Sequence, residues 1–519
     1  MPNFPQCRTA AAPKVVARRS AGGMQARFDA AQTGSQNRNH WAAADDLSPN
    51  LSTRTNVRRT LRRRARLERE NDPHFDGLTK TLAYDMIGTG PRLQLTVEVD
   101  LHDAAMVVMK SFKAWVRAAG MAEKFRLLVE PQPADGETFG QFTTNEMIDH
   151  PVKLDLKVME AEQIATPLWG GTEFNLFDPL AIDGIEYDKA GNPTIYHVLK
   201  EHPGDGVFWG IKADKVPAEF MVHWFRPRRP GQARGVSEFA SALETGAQTR
   251  RYGKAVLSAA ETAANISGIM KTTGSADAGG EAPKFDTMEE VDIPRNALLT
   301  LPEGWDASQL KAEQPTGTYK EFVGDKRAEM GRPVLAPFNV TTGNSSGYNY
   351  SSGRLDHVPY HRVVWIERER FRHLVLDKLF RAWLAEAASV AGLIPVELGP
   401  VNTWEWEWQW DGFVSIDPYK DATAIELRLR LNLTTLAAEC AADGLDWREV
   451  VDQRAVEREY MRAKGIDPDA SIGLTKPVVP GAPMDPNAPE PGPNDPNAYD
   501  DDSLEDTDLA PTRRGRVYA

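Results

Sequence analysis

Seven consecutive residues, Trp404-Glu-Trp-Glu-Trp-Gln-Trp410, alternate without interruption. An extended strand places alternate side chains on opposite faces, so the four tryptophans share one face and Glu405, Glu407 and Gln409 the other. Four indoles on one side of a strand have to be covered. Packing in a core or a subunit interface is the simplest account, with a sugar-stacking or membrane-interface platform as the rival use.

At 519 residues and 41% hydrophobic content, the chain is long enough for two to four structural regions and folds over most of its length. No stretch approaches the ~20 uncharged apolar residues that a membrane-spanning helix needs, and the first residues show no apolar signal core, so a soluble, cytoplasmic chain is expected. Cys7 and Cys440 are the only cysteines, too few for a disulfide framework or a cysteine metal cage. The net charge of −13 disfavours tight static binding to DNA, whose phosphates place one charge per ~1.7 Å of axis.

Along the chain, residues 1–30 carry Arg8, Lys14, Arg18, Arg19 and Arg27 against Asp29 alone, which suggests a flexible basic arm, with an organellar targeting peptide as the rival. From Asn56 to about Leu82, the apolar Val57, Leu61, Leu67, Leu78 and Leu82 are interleaved with Arg58, Arg59, Arg62, Arg63, Arg64, Arg66 and Arg69. This predicts a basic helix broken near Pro73, touching DNA or an acidic neighbouring subunit, or else a solvated face. Between Gly90 and about Phe225 the pattern is α+β: Leu93, Leu95, Val97 and Val99 alternate, and Ile195, Tyr196 and Val198 follow the turn Gly191-Asn-Pro193.

After Arg226-Pro-Arg-Arg-Pro-Gly231, Ser237 is placed to cap a helix from Glu238 to about Ile266, roughly 40 Å long. Gly246 and Gly253, a heptad apart on it, allow a neighbouring helix to come close. Residues 272–318 form an acidic, Gly/Pro-rich insertion, and a charged segment, Tyr319–Arg332, leads into Pro333–Gly353, which has no charged side chain. A long helix resumes at Arg354 through Trp365, Phe371, Leu374 and Leu379, starting or kinking near Pro359. Helices are expected from Pro418 to about Lys464, and the Pro/Asn/Asp tract from Pro477 cannot bury enough apolar surface to order itself. That tract holds nine of the 74 acids and three of the 61 bases, which leaves 65 against 58 elsewhere and a net of −7.

Catalytic signatures fail on their spacing. Gly246-Ala-Gln-Thr-Arg-Arg-Tyr-Gly-Lys-Ala255 imitates a phosphate-binding loop, yet six residues separate its glycines where four are needed, and Ala255 has no hydroxyl for magnesium. His357-Val-Pro-Tyr-His361 has the i, i+4 spacing of zinc-binding histidines but lacks the following glutamate and contains Pro359. No nucleophile elbow or dinucleotide fingerprint is present. The expectation is no catalytic residue, no metal and no cofactor.

Several segments, in order, resemble the lambda family of phage portal proteins. Near the start these are Phe28-Asp-Ala-Ala-Gln32, Asn37-Arg-Asn-His-Trp41, Val57-Arg-Arg-Thr-Leu-Arg-Arg-Arg-Ala-Arg66 and Gly88-Thr-Gly-Pro-Arg-Leu93. Further on come Asp183-Gly-Ile-Glu-Tyr-Asp188, Gly191-Asn-Pro-Thr-Ile-Tyr196 and His202-Pro-Gly-Asp205. The most specific is Phe225-Arg-Pro-Arg-Arg-Pro-Gly-Gln-Ala-Arg-Gly-Val236, joined by Asn349-Tyr-Ser-Ser-Gly-Arg354 and Ile416-Asp-Pro418. The family commonly has alanine where Gly353 stands.

The resemblance implies a ring, usually of twelve subunits, at one capsid vertex of a virion assembled in the host cytoplasm. It implies a portal fold of wing, helical stem, clip and helical crown: arm 1–30, wing 31–236, first stem helix 237–271, clip 272–318, second stem helix 319–338, tunnel loop 339–350, wing helix and strand 351–417, crown 418–470 and disordered tail 471–519. Asn339, Thr341, Thr342, Gly343, Asn344, Ser345, Ser346, Gly347 and Asn349 would face the channel. Asp286, Glu289, Glu290 and Asp292 would dock terminase or an adaptor. The implied partners are further copies of the chain, the terminase large subunit, head–tail connector proteins, major capsid and scaffolding proteins, and the duplex DNA in transit, without a membrane. An acidic wall with a charge-free constriction would keep a duplex off the wall within a Debye length of ~8 Å. A packaging ATPase or nuclease, and a different head–tail adaptor ring, are the alternatives.

Overall fold

The computed structural model describes residues 35, 38–166, 180–205, 212–265, 269–272, 305–308, 317–413 and 417–467. The arm 1–30, the clip acids Asp286, Glu289, Glu290 and Asp292, and the tail 471–519 lie outside them. The chain divides into two compact units, Met1–Trp447 and Arg448–Ala519. Helices and sheets are mixed throughout the first unit, as the α+β reading expects.

Helices α1 (Pro49–Ser52), α2 (Thr55–Asn71) and α3 (Pro73–Ile87) open it. The break expected near Pro73 is present: the Asp72 carboxylate accepts the His74 N–H at 2.9 Å, and Pro73 takes the first helical position, where no N–H partner is needed. Strand β1 (Arg92–Thr96) follows, then α4 (His102–Ala118), α5 (Met121–Val129) and α6 (Gln132–Asp135). The strand stops before Val97, because the chain turns at Val99–Leu101 to enter α4, so the alternation extended to Val99 overran it.

Two antiparallel sheets come next. In one, β2 (Glu137–Thr144) lies between β3 (Leu154–Met159) and β8 (Met221–Phe225). The other is a meander of β4 (Ala181–Ile182), β5 (Ile185–Tyr187), β6 (Pro193–Leu199) and β7 (Ala213–Pro217). The turn at Gly191 leads into β6 as expected, and Phe139, Tyr196, Val198 and Met221 share the core of the two sheets.

Helix α7 spans Leu243–Asn265, about 35 Å. Its start corrects the expectation for Ser237, whose hydroxyl donates to the Pro133 carbonyl at 3.2 Å instead of capping. Glu238 is held by Gln132 and Arg226, and a 3-10 turn, Glu238–Ser241, intervenes. Strands β9 (Ile269–Thr272) and β10 (Trp305–Ser308) pair antiparallel, followed by α8 (Tyr319–Gly331), α9 (Phe338–Thr342) and α10 (Tyr350–Phe371). Close approach at Gly246 is realised, since a Cβ there would land on the Phe75 ring of α3. Phe75, Leu78, Phe239, Met330 and Val334 form the apolar cluster that binds these helices.

Helix α10 begins nine residues before Pro359, which sits inside it, correcting the expectation of a start at the proline. The reason is a capping box: Asn349 Oδ1 accepts the Ser352 N–H at 2.8 Å, and Ser352 Oγ accepts the Asn349 N–H at 3.0 Å. One π-helical turn, Arg372–Leu376, joins α10 to α11 (Asp377–Ala387).

The tryptophan-rich strand, β11 (Glu405–Gln409), pairs antiparallel with β1, Trp406 opposite Leu95 and Trp408 opposite Leu93. Its indoles cover the largest core, made by Phe112, Trp115, Phe371, Phe380 and Trp383, which establishes core packing as their use. The Trp406 and Trp408 N–H groups both donate to Asp377 Oδ1, at 2.9 and 3.0 Å. Glu405 and Glu407 are exposed on the other face, while Gln409 is buried against Gln94. Helices α12 (Pro418–Arg430) and α13 (Leu436–Ala442) complete the first unit, and α14 (Trp447–Ala463) supplies the second, exposed from Val451 onward.

Candidate functional site

The segment Arg226–Gly235, between β8 and α7, turns out to be a clasp. Arg226 bridges Glu238 at 2.8 Å and Glu367 of α10 at 3.1 Å. Gln232 receives the backbone N–H groups of Arg228 and Arg229, and Arg229 donates to the Leu47 carbonyl at 3.0 Å. Arg234 enters the interior, where its fork meets Glu137 of β2 and its remaining N–H groups donate to the carbonyls of Ala161, Ile164 and Asp183. The Gly235 N–H donates to Glu137 Oε2 at 2.8 Å, and a Cβ at Gly235 would collide with the Gly136 carbonyl.

Glu137 is fully buried and is met on another side by His223, whose Nε2 lies 3.0 Å from Oε2. Burial alone would raise its carboxyl, but Arg234 and the His223 hydrogen bond hold it well below the usual carboxylate range. His223 is stacked between Phe139 and Phe225 with centroids 4.3 and 4.2 Å away, and burial pushes its imidazole down.

The arginines of α2 converge on the same centre. Arg62 reaches Glu137 at 3.3 Å and Glu162 at 3.2 Å, Arg58 pairs with Asp183, Arg66 forks onto Asp135 at 2.8 and 2.6 Å, and Arg69 pairs with Glu130. Burial, with Arg234 beside it, pushes the Arg58 guanidinium down to about 9. For these four the solvated-face expectation is corrected: Arg58 and Arg62 are buried, Arg66 and Arg69 are half-buried, and all four are held by carboxylates of the same chain. Little in the local pattern could reveal this, since apart from Asp76, 3.9 Å from Arg69, the acids they grip lie 61 or more residues away.

The loop candidates lie in α9 and in the segment that follows it. Gly343, at φ +65°, closes α9 by donating to the Asn339 carbonyl at 2.8 Å. Gly343, Asn344, Ser345, Ser346, Gly347 and Asn349 are exposed. Asn344 Oδ1 accepts the Ser346 N–H at 2.9 Å, and Tyr348 donates to Asp356 at 2.7 Å. Asn339 is half-buried with its amide 2.8 Å from His357 Nε2, and the Thr342 hydroxyl donates to the Phe338 carbonyl at 2.9 Å. Thr341 is corrected: it is buried against Gly331 and donates to the Pro337 carbonyl at 3.0 Å, so it offers no free hydroxyl.

Gly246–Ala255 lies within α7 and forms no loop. His361 stacks on Phe413 at 3.7 Å, and His357 serves Asn339. Glu160, Glu162 and His202 come within metal-ligand reach of one another. Their chemistry does not fit an ion: Arg66 occupies both carboxylates, at 3.0 and 3.2 Å, and the Gly204 N–H donates to His202 Nδ1, which puts the neutral ring's proton on Nε2.

A family model described as phage portal protein, lambda family, matches residues 35–368. A probable portal protein of Halomonas phage phiHAP-1 is 21% identical over 439 residues, covering 78% of this chain and 81% of that one. A chain of the neck of an empty GTA particle, computed with C6 symmetry, is 14% identical with a TM-score of 0.39, over 72% of this chain and 90% of that one. A chain of the virion of a native gene transfer agent particle is 16% identical with a TM-score of 0.40, over 79% and 99%.

Proposed function

We propose a function from one premise: this chain belongs to the lambda family of phage portal proteins. It is one subunit of a ring at a capsid vertex of the virion, a dodecamer, through which double-stranded DNA is packaged and ejected, and it performs no chemistry of its own. The motor is a separate terminase whose large subunit docks, like the head–tail connector, on the clip at Asp286, Glu289, Glu290 and Asp292. Helices α7 and α8 are the stem, 31–236 with 351–417 the wing, and 418–470 the crown.

The observation that carries this reading is the exposed stretch Gly343–Gly347 between α9 and α10, set in a 21-residue run without a charge. In a chain with 26% charged residues, a surface loop that offers only neutral donors and acceptors suits a constriction that touches phosphates without holding them. A folded part of net −7 adds screened repulsion, which centres the duplex.

Negative-stain imaging of the purified full-length chain tests the reading, with hollow rings expected. Compact monomers under every assembly condition, ATP hydrolysis by the chain alone, or tight duplex binding at physiological salt would each overturn it.

A further inference from the structure

The arginines of α2 divide by helical phase. Arg58, Arg62, Arg66 and Arg69 turn inward to carboxylates, whereas Arg59, Arg63 and Arg64, with Arg54 just before the helix, are exposed and form no ion pair among the described residues. Like charges three and four residues apart on a helix repel, so an uncompensated face of this kind is a cost to the isolated subunit. The inner arginines of α2 are each matched by a carboxylate of the same chain, and this outer face is not.

A complementary surface exists on the same molecule. The outer face of the β1–β11 ribbon carries Glu405 and Glu407 opposite Thr96 and Gln94, and Glu98, Asp100 and Asp103 follow directly; all five acids are exposed and none forms an ion pair among the described residues. Glu405 and Glu407 stand two residues apart on a strand, ~6.7 Å, and Arg59 and Arg63 four residues apart on a helix, ~6 Å of rise. The pitch of one pair matches the other.

The two surfaces are anchored in different cores, α2 through Leu61 and Ala65 beside Phe75, and the ribbon through Leu95 and Trp408 beside Phe112. We infer that the outward arginine face of α2 docks on the acidic outer face of the β1–β11 ribbon of a second copy. Two different faces meeting head to tail is the contact that closes a ring. The inference rests on the ring reading above and names the surfaces that make it. Duplex DNA is the other polyanion such a face could take, and the chain's negative field opposes it.

The test uses the full-length chain and counts assembled particles by mass photometry at about 100 mM salt. Arg59→Glu with Arg63→Glu, and separately Glu405→Arg with Glu407→Arg, are expected to lower the ring fraction at least tenfold. An equimolar mixture of the two variants restores rings, because each supplies the face the other has lost. Arg59→Gln with Arg63→Gln, a milder change, is expected to lower assembly severalfold and serves if a reversed chain does not fold. Wild-type rings alongside unimpaired assembly of the variants overturns the inference and leaves the ring reading standing; a wild-type chain that never assembles removes both. Loss of duplex retention with intact rings in the arginine variants assigns the face to DNA and also overturns it.

Discussion

Arg234 grips Glu137 as a bidentate pair out of reach of solvent, Nε 2.9 Å from Oε2 and Nη2 2.8 Å from Oε1, with side chains 3% and 0% exposed. Removing two charges from water costs several kcal/mol each, and the pair is tolerated because fork geometry and the surrounding donors and carbonyls satisfy what remains. The penalty therefore falls on whichever partner is left alone.

Arg234→Met should destabilise the chain by about 3–5 kcal/mol, because Glu137 is then buried without its principal counter-charge. Arg234→Lys should lose most of the same amount, since an ammonium cannot reproduce the fork or reach three separate carbonyls. Urea unfolding midpoints of the two variants check this. A lysine variant as stable as the parent would show that charge alone, not the fork, holds the site.

Stability should fall in two steps on acidification. The depressed His223 makes the unfolded chain bind more protons below about pH 6.5, so its contribution is complete above that value and is lost as pH falls toward its folded pKa. His74, His150 and His361, also lowered by burial, act in the same sense. Glu137 adds a second loss below its ordinary 4.5, whereas Asp135, whose carboxyl burial pushes up, works in the opposite sense near pH 4. Thermal unfolding from pH 4 to 8 should show the slope beginning near 6.5, and His223→Gln should flatten its upper part.

Gly246→Ala should cost about 1–3 kcal/mol, although alanine is the better helix former, because the new methyl strikes the buried Phe75 ring. Gly253→Ala on the same helix, whose Cβ would meet Tyr319 at an ordinary 3.6 Å, should be neutral or stabilising. Differential scanning calorimetry of the pair separates packing from propensity.

Lysines at Asn344 and Ser346, both exposed, should leave the unfolding temperature unchanged. In assembled rings they should make retention of a short duplex measurable at physiological salt, with a salt slope that rises by ~0.9 for every phosphate neutralised. If duplex retention does not change, the loop does not face the channel.

Short-range pattern by itself determined a good part of this protein. The alternation of Trp404–Trp410 pointed to a strand, Pro73 marked a break between helices, and the charge-free run Pro333–Gly353 contains the loop between α9 and α10, although Asn339–Thr342, expected in that loop, are helical. The portal family was also legible, because its segments recur in order. What tertiary structure alone decided is which way side chains of one kind point. It buried Arg58 and exposed Arg59, took Ser237 away from the cap it was placed to make, withdrew Thr341 from the loop, and let Asn349 start a helix that runs through Pro359. The physical reason is distance along the chain: a strand's period or a proline's missing N–H acts within a few residues, while Arg234 finds Glu137 across 97. Such a partner is set by packing, which no local pattern encodes.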